Sequence, residues 1–198
     1  MTRFTVPVTS FLLLGFVSAP GLAQQPFDEV LQLNGFSFHV QCPNNSSINP
    51  VTLQASGLER EQPPITREAD GTLVGADIAD LNRDGSPEIY LYVQSAGSGS
   101  YGSLLAWSVN NRKSLTEIYL PALDDDPVAA EGYMGHDQFQ VTQTRLLRQF
   151  PVYAAGDINA APSGGIRQIS YRLTAGEAGW VLRPEQVSVL ADDSTIDR

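Results

Sequence analysis

Glu88-Ile-Tyr-Leu-Tyr-Val-Gln94 runs into Ser95-Ala-Gly-Ser-Gly-Ser-Tyr-Gly-Ser103 and out through Leu104-Leu-Ala-Trp-Ser-Val109. The first run alternates as a half-buried strand does, and the third is a second apolar strand. Between them, eight of nine residues are Gly, Ala or Ser, and the ninth is Tyr101. Two strands joined by a small-residue loop predict a β-hairpin. Such a loop reads either as a slack connection or as a contact site held by a rigid scaffold. Tyr101 favours the second reading, because its amphipathic ring anchors contacts with little side-chain entropy to lose.

Outward from the hairpin, the chain keeps producing short alternating runs. Phe36-Ser-Phe-His-Val-Gln41 places Phe36, Phe38 and Val40 on a core face and turns His39, a structural residue, away from it. Val51–Gln54, Leu73–Leu81, Leu115–Leu120, Phe139–Val141, Arg145–Val152 and Trp180–Leu182 read as further strands, with Pro151 marking an edge or an end. Ile166–Leu173 points Ile169, Tyr171 and Leu173 to one side. Phe27–Leu33 is compatible with a short helix or an irregular lead-in. Gly57–Asp70 is polar, and Pro63-Pro64 forbids a helix there. Asp126-Pro127 is placed to cap one helical turn through Glu131. Many short strands, Gly/Pro turns and few helix signals predict an all-β sandwich or barrel with at most short helical segments.

The start of the chain reads as a leader. Arg3 precedes the apolar run Phe11–Val17, and the small residues Ser18–Ala23 follow, which is the pattern of a secretory signal peptide cleaved after Ala23. The run is too short for a stable membrane span, and no Cys follows it to take a bacterial lipid anchor. Residues 24–198 then form one domain, with a frayed polar tail from about 191. The location expected is the periplasm or the exterior. Cys42 is the single cysteine, so an exported chain must draw its stability from a core, with Cys42 buried as a small hydrophobe. A net charge of −10 and no Lys/Arg cluster argue against a nucleic-acid partner and suit a basic protein partner.

One further stretch carries ligand-type residues. In Asp80-Leu-Asn-Arg-Asp-Gly-Ser-Pro-Glu88, the residues Asp80, Asn82 and Asp84 alternate, Gly85 permits a sharp turn and Glu88 is set to close a ring. This approaches a calcium loop, but Leu91 stands where an EF-hand has its bidentate Glu, and the flanks are strands. The competing reading is a hairpin whose Asp and Asn side chains bond their own backbone. Calcium is the one cofactor the sequence suggests, and any binding would be weak. A calcium-dependent exported module that binds a glycan or a surface protein is the alternative function. Catalytic frames are missing. Ser98, Ser100 and Ser103 lack a nucleophile elbow, and no phosphate cradle occurs. The two histidines, His39 and His136, cannot supply a three-imidazole zinc site. The chain does not read as an enzyme.

The run Tyr90–Ser103 resembles the signature of the periplasmic inhibitors of invertebrate-type (i-type) lysozyme. Their Ser-Gly-x-Tyr loop is matched by Ser98, Gly99, Ser100 and Tyr101. The resemblance takes in Asp80–Glu88, Arg112–Pro121, Tyr133-Met-Gly-His-Asp137 and Gly176–Trp180. It implies a two-sheet antiparallel β-sandwich that inserts this loop into the substrate cleft of a lysozyme. Ser98 and Tyr101 would then present hydroxyls to the catalytic carboxylates. It also makes a homodimer plausible.

Overall fold

The structure, a computed structural model, describes residues 25–190. The leader expected over residues 1–23 and the tail beyond Leu190 lie outside them. The fold is all-β, as expected. Twelve strands follow in chain order: β1 Phe27–Leu33, β2 Phe36–Cys42, β3 Ile48–Ser56, β4 Ile65–Asp70, β5 Thr72–Ala79, β6 Glu88–Gln94, β7 Gly102–Asn110, β8 Ser114–Tyr119, β9 Gln138–Val141, β10 Leu146–Pro151, β11 Ile166–Ala175 and β12 Trp180–Leu190. A single 3-10 turn occupies Leu123–Asp125. After it, the Asp126 carboxylate accepts from the N–H groups of Val128 and Ala129, and Ala130 N–H reaches the Asp126 carbonyl, so the expected capped turn is present.

The strands make two sheets, one in the order β1-β2-β3-β4 and one in the order β5-β6-β7-β8-β12-β11-β10-β9. Every named pairing is antiparallel except β8 with β12, which pair in parallel through Ile118 and Trp180. The larger sheet curls until its two end strands, β5 and β9, approach one another. Tyr92 of β6 stacks on Phe139 of β9 across that gap, with ring centroids 5.8 Å apart.

This curl corrects the reading of β6. Its side chains are not half-buried, because every residue from Glu88 to Val93 is buried. Ile89, Leu91 and Val93 face the four-stranded sheet and join Phe36, Phe38, Val40, Val51 and Leu53 in one core. Tyr90 and Tyr92 face the inside of the curled sheet and join Leu146, Phe150, Ile169, Tyr171 and Leu182 in a second core. β6 is therefore a wall common to both cores.

Three other expectations change. Phe27–Leu33 is a strand, because Asn34-Gly35, both at positive φ, turns it back to pair along the whole of β2. The polar stretch before Asp70 contains β4, an exposed edge strand on β3. The closing run Trp180–Leu182 extends to Leu190 along β11. Phe36, Phe38 and Val40 are buried as expected, and so are Ile169, Tyr171 and Leu173. His39 points outward to Asp28, and Cys42 is buried with its thiol on Asn44.

Candidate functional site

The loop 95–101 closes the β6–β7 hairpin just beyond the last strand pair, Gln94 with Gly102. Ser95 N–H donates to the Tyr101 carbonyl at 2.9 Å, and Tyr101 N–H donates to Ser95 Oγ at 2.9 Å, so the neck is tied twice. At the tip, Ser100 adopts a left-handed φ of 42° and donates its N–H to the Gly97 carbonyl at 3.1 Å. Ser98 is exposed, Gly99 and Ser100 are half-buried, and Tyr101 is 50% exposed. The four residues of the candidate motif thus sit together at one tip.

Two further loops hold that tip. The segment 132–136, with Gly132, Gly135 and His136 all at positive φ, runs beside it and donates His136 N–H to the Gly99 carbonyl at 2.7 Å. From the segment between β10 and β11, Asn159 Nδ2 donates to the Ser98 carbonyl at 2.8 Å. His136 Nε2 lies 3.1 Å from Asn159 Oδ1, and because that oxygen only accepts, Nε2 is the donor in this contact. Tyr153 OH fixes the same turn by donating to the Asn159 carbonyl at 2.9 Å. The hairpin tip is therefore not a slack connection.

Beneath it lies a buried ion pair. Arg148 Nε donates to Asp137 Oδ1 at 2.7 Å, and the other carboxylate oxygen accepts from Gly102 N–H at 2.7 Å and from Tyr133 OH at 2.5 Å. The Tyr133 ring meets Tyr101 edge-on at 5.6 Å and Phe150 at 4.7 Å, which ties Tyr101 to the inner core. Arg148 also lies over the rings of Tyr133, Phe139 and Phe150. Burial works against its cation, but the adjacent Asp137 carboxylate more than offsets this and raises its pKa. The same burial, with Asp137 accepting from the phenol, pushes Tyr133 well above the usual tyrosine range. Arg148 and Asn159 were not singled out in the sequence. A signal existed for Arg148, because it takes an inward position between Leu146 and Phe150 on an alternating strand. A charge there demands a partner.

Gly135 makes this assembly possible. At φ 93° its Cα approaches the Gly99 carbonyl so closely that an added Cβ would collide with that oxygen. Gly135→Ala is expected to destabilise the protein by about 2–3 kcal/mol, combining a strained φ with a backbone clash. Gly97→Ala, at a position with open space around it, is the matched control and should change the melting temperature little. Equal melting temperatures for the two variants would show that segment 132–136 does not press on the tip.

The structure also places the Asp80–Glu88 residues. The Asp80 carboxylate accepts from Asp84 N–H at 3.0 Å and Gly85 N–H at 2.9 Å, and Asp84 accepts from Ser86 N–H at 2.7 Å. Asn82 Nδ2 donates to Asp84 Oδ2 at 2.9 Å. These are side chains bonding their own turn, with Arg83 and Gly85 at positive φ. Glu88 turns into the interior, where Oε2 accepts from Leu81 N–H at 2.8 Å and Ser108 Oγ lies 3.4 Å from Oε1. Among the described residues, no three His, Cys, Asp or Glu side chains gather as a metal cluster, and no helix is long and apolar enough to cross a membrane.

Comparison with characterised proteins and with solved structures returned no match. Residues 64–131, which carry β4 through β8 and the loop 95–101 between them, match the family model described as periplasmic lysozyme inhibitor of I-type lysozyme, so the resemblance read from the Ser98–Tyr101 motif holds over this stretch.

Proposed function

We propose that the chain is an exported inhibitor of lysozyme, with i-type enzymes as its targets, and that it acts by inserting the Ser98–Tyr101 loop into the substrate cleft. The matched family is one of inhibitors and not of enzymes. The observation that carries the reading is a hairpin tip exposing Ser98 and half of Tyr101 while its backbone is held by Asn159 and His136. Small neighbours keep the tip narrow enough to enter a cleft, and two hydroxyls replace the sugar hydroxyls that a glycan would offer there. The loop contains no glycosidic bond, so the enzyme has nothing to cleave. A net charge of −10 favours encounter with a basic enzyme and makes the on-rate fall with added salt.

In a cell-wall lysis assay, the protein should inhibit an i-type lysozyme. Ser98→Ala with Tyr101→Ala should weaken that inhibition by about a hundredfold or more, the scale of a central interface anchor lost. Ser98 is exposed and Tyr101 half-exposed, so the fold should survive the change, with a melting temperature within a few degrees of the parent. Undiminished inhibition by the folded double variant would remove the loop from the mechanism.

A further inference from the structure

Three exposed apolar or amphipathic side chains occupy the end of the molecule where the candidate loop lies, each on a different loop. Tyr101 is on the β6–β7 hairpin, Met134 on segment 132–136 is 39% exposed, and Ile158 between β10 and β11 is 67% exposed. Single exposed apolar residues are ordinary on a protein surface. These three differ in that hydrogen bonds join the loops that carry them. The residue after Ile158 donates to the Ser98 carbonyl, and His136, two residues after Met134, donates to the Gly99 carbonyl. An added Cβ on Gly99 would lie 3.3 Å from the Met134 carbonyl oxygen, so that backbone lies directly against the tip.

Neither side chain is explained by folding. Ile158 opens a tight turn, with Ala161 N–H donating to its carbonyl at 2.9 Å, and the residues around it are Asp, Asn, Ala, Pro, Ser and Gly. Such a turn would be served as well by a polar residue. Met134 sits in a segment with three positive-φ residues, a conformation of appreciable backbone cost. That cost holds a flexible, polarizable thioether at the rim of the tip, and methionine adapts well to an uneven apolar surface.

We propose that Met134 and Ile158 act with Tyr101 as a three-loop contact surface, in which these two side chains pack against the walls of the lysozyme cleft while Ser98 and Tyr101 reach its floor. The inference rests on the function proposed above. It adds that the cleft walls of a bound lysozyme present apolar or aromatic side chains on both sides of the inserted loop. It also makes Met134 and Ile158 determinants of which lysozyme is held tightly.

The test measures inhibition constants against an i-type lysozyme for Met134→Gln, Ile158→Ser, their combination and Tyr101→Ala, with a melting temperature for each. Each single substitution on the flanks should weaken inhibition by about tenfold, and the pair by about a hundredfold, with melting temperatures close to that of the parent. If the pair inhibits within about twofold of the parent while Tyr101→Ala inhibits poorly, the flanking surface is refuted and the inserted loop stands. If Tyr101→Ala also inhibits fully, the loop reading fails, and this inference fails with it.

Discussion

Asp137→Ala is expected to lower folding stability by about 3–5 kcal/mol, the cost of leaving a buried charge without its partner. A surface ion pair would contribute no more than about 1 kcal/mol, but both members here are buried, with the Asp137 side chain wholly so. Alanine would leave the Arg148 guanidinium among three aromatic rings, where burial opposes its charge. It would also strip an acceptor from Tyr133 OH and from Gly102 N–H, the first amide of the strand leaving the loop. On the function proposed above, inhibition should fall along with stability. Asp137→Leu combined with Arg148→Met should recover much of the lost stability, because no unpaired charge remains. Denaturant midpoints compare the variants, and a loss under about 1 kcal/mol for Asp137→Ala would mean that the pair does not hold this end of the fold.

Stability should also fall as pH rises from about 5 to about 9, and Glu88 should account for much of that fall. The carboxyl is 0% exposed. Burial pushes its pKa up to about 8, and the charges of Asp80 and Asp84 add to this, against the opposing hydrogen bond from Leu81 N–H. The native protein therefore binds this proton more tightly than the unfolded chain, whose carboxyl titrates near 4.5. The stabilisation is fully present below that unfolded value and is lost as pH rises through about 8. A shift of this size corresponds to about 4–5 kcal/mol across the window. Glu88→Gln keeps an acceptor for Leu81 N–H and offers Ser108 a donor, yet cannot ionise. The variant should match the parent near pH 5 and exceed it in melting temperature by several degrees near pH 9. Parallel melting profiles for the two proteins would assign the pH dependence to other groups.

The sequence made the alternating strands legible and the contacts between distant loops illegible. Phe36, Phe38 and Val40 were read as core because the side chains between them are Ser and His, so period two stands out. In β6 the same rule misled. Alternation over Glu88–Gln94 predicts a half-buried strand, yet Tyr90 and Tyr92 enter a second core that only the curl of the larger sheet creates. An unbroken apolar run from Ile89 to Val93 was the signal for burial on both faces. Phe27, Val30 and Leu31 fall at helical spacing, which leaves β1 open to a short helix or an irregular lead-in, although Asn34-Gly35 is a hairpin pair. At the candidate site, Ser98–Tyr101 was visible as a motif. Its supports were not, since Asn159 lies 61 residues from Ser98 and Arg148 lies 11 from Asp137. Such pairings arise from topology, which no local pattern encodes.

The position of β6 between two cores gives the hairpin a mechanical property. A tip pushed into a cleft transmits load along the strands behind it, and one of those strands is gripped on both faces over nearly its whole length. The tip is thus carried by a strand buried on both faces, and its backbone is already tied by hydrogen bonds in the folded chain. A mobile loop would give up about 0.5–1.5 kcal/mol for each side chain immobilised on docking. A tip fixed beforehand avoids part of that penalty when it docks, and among related complexes such gains are expressed mainly as slow release.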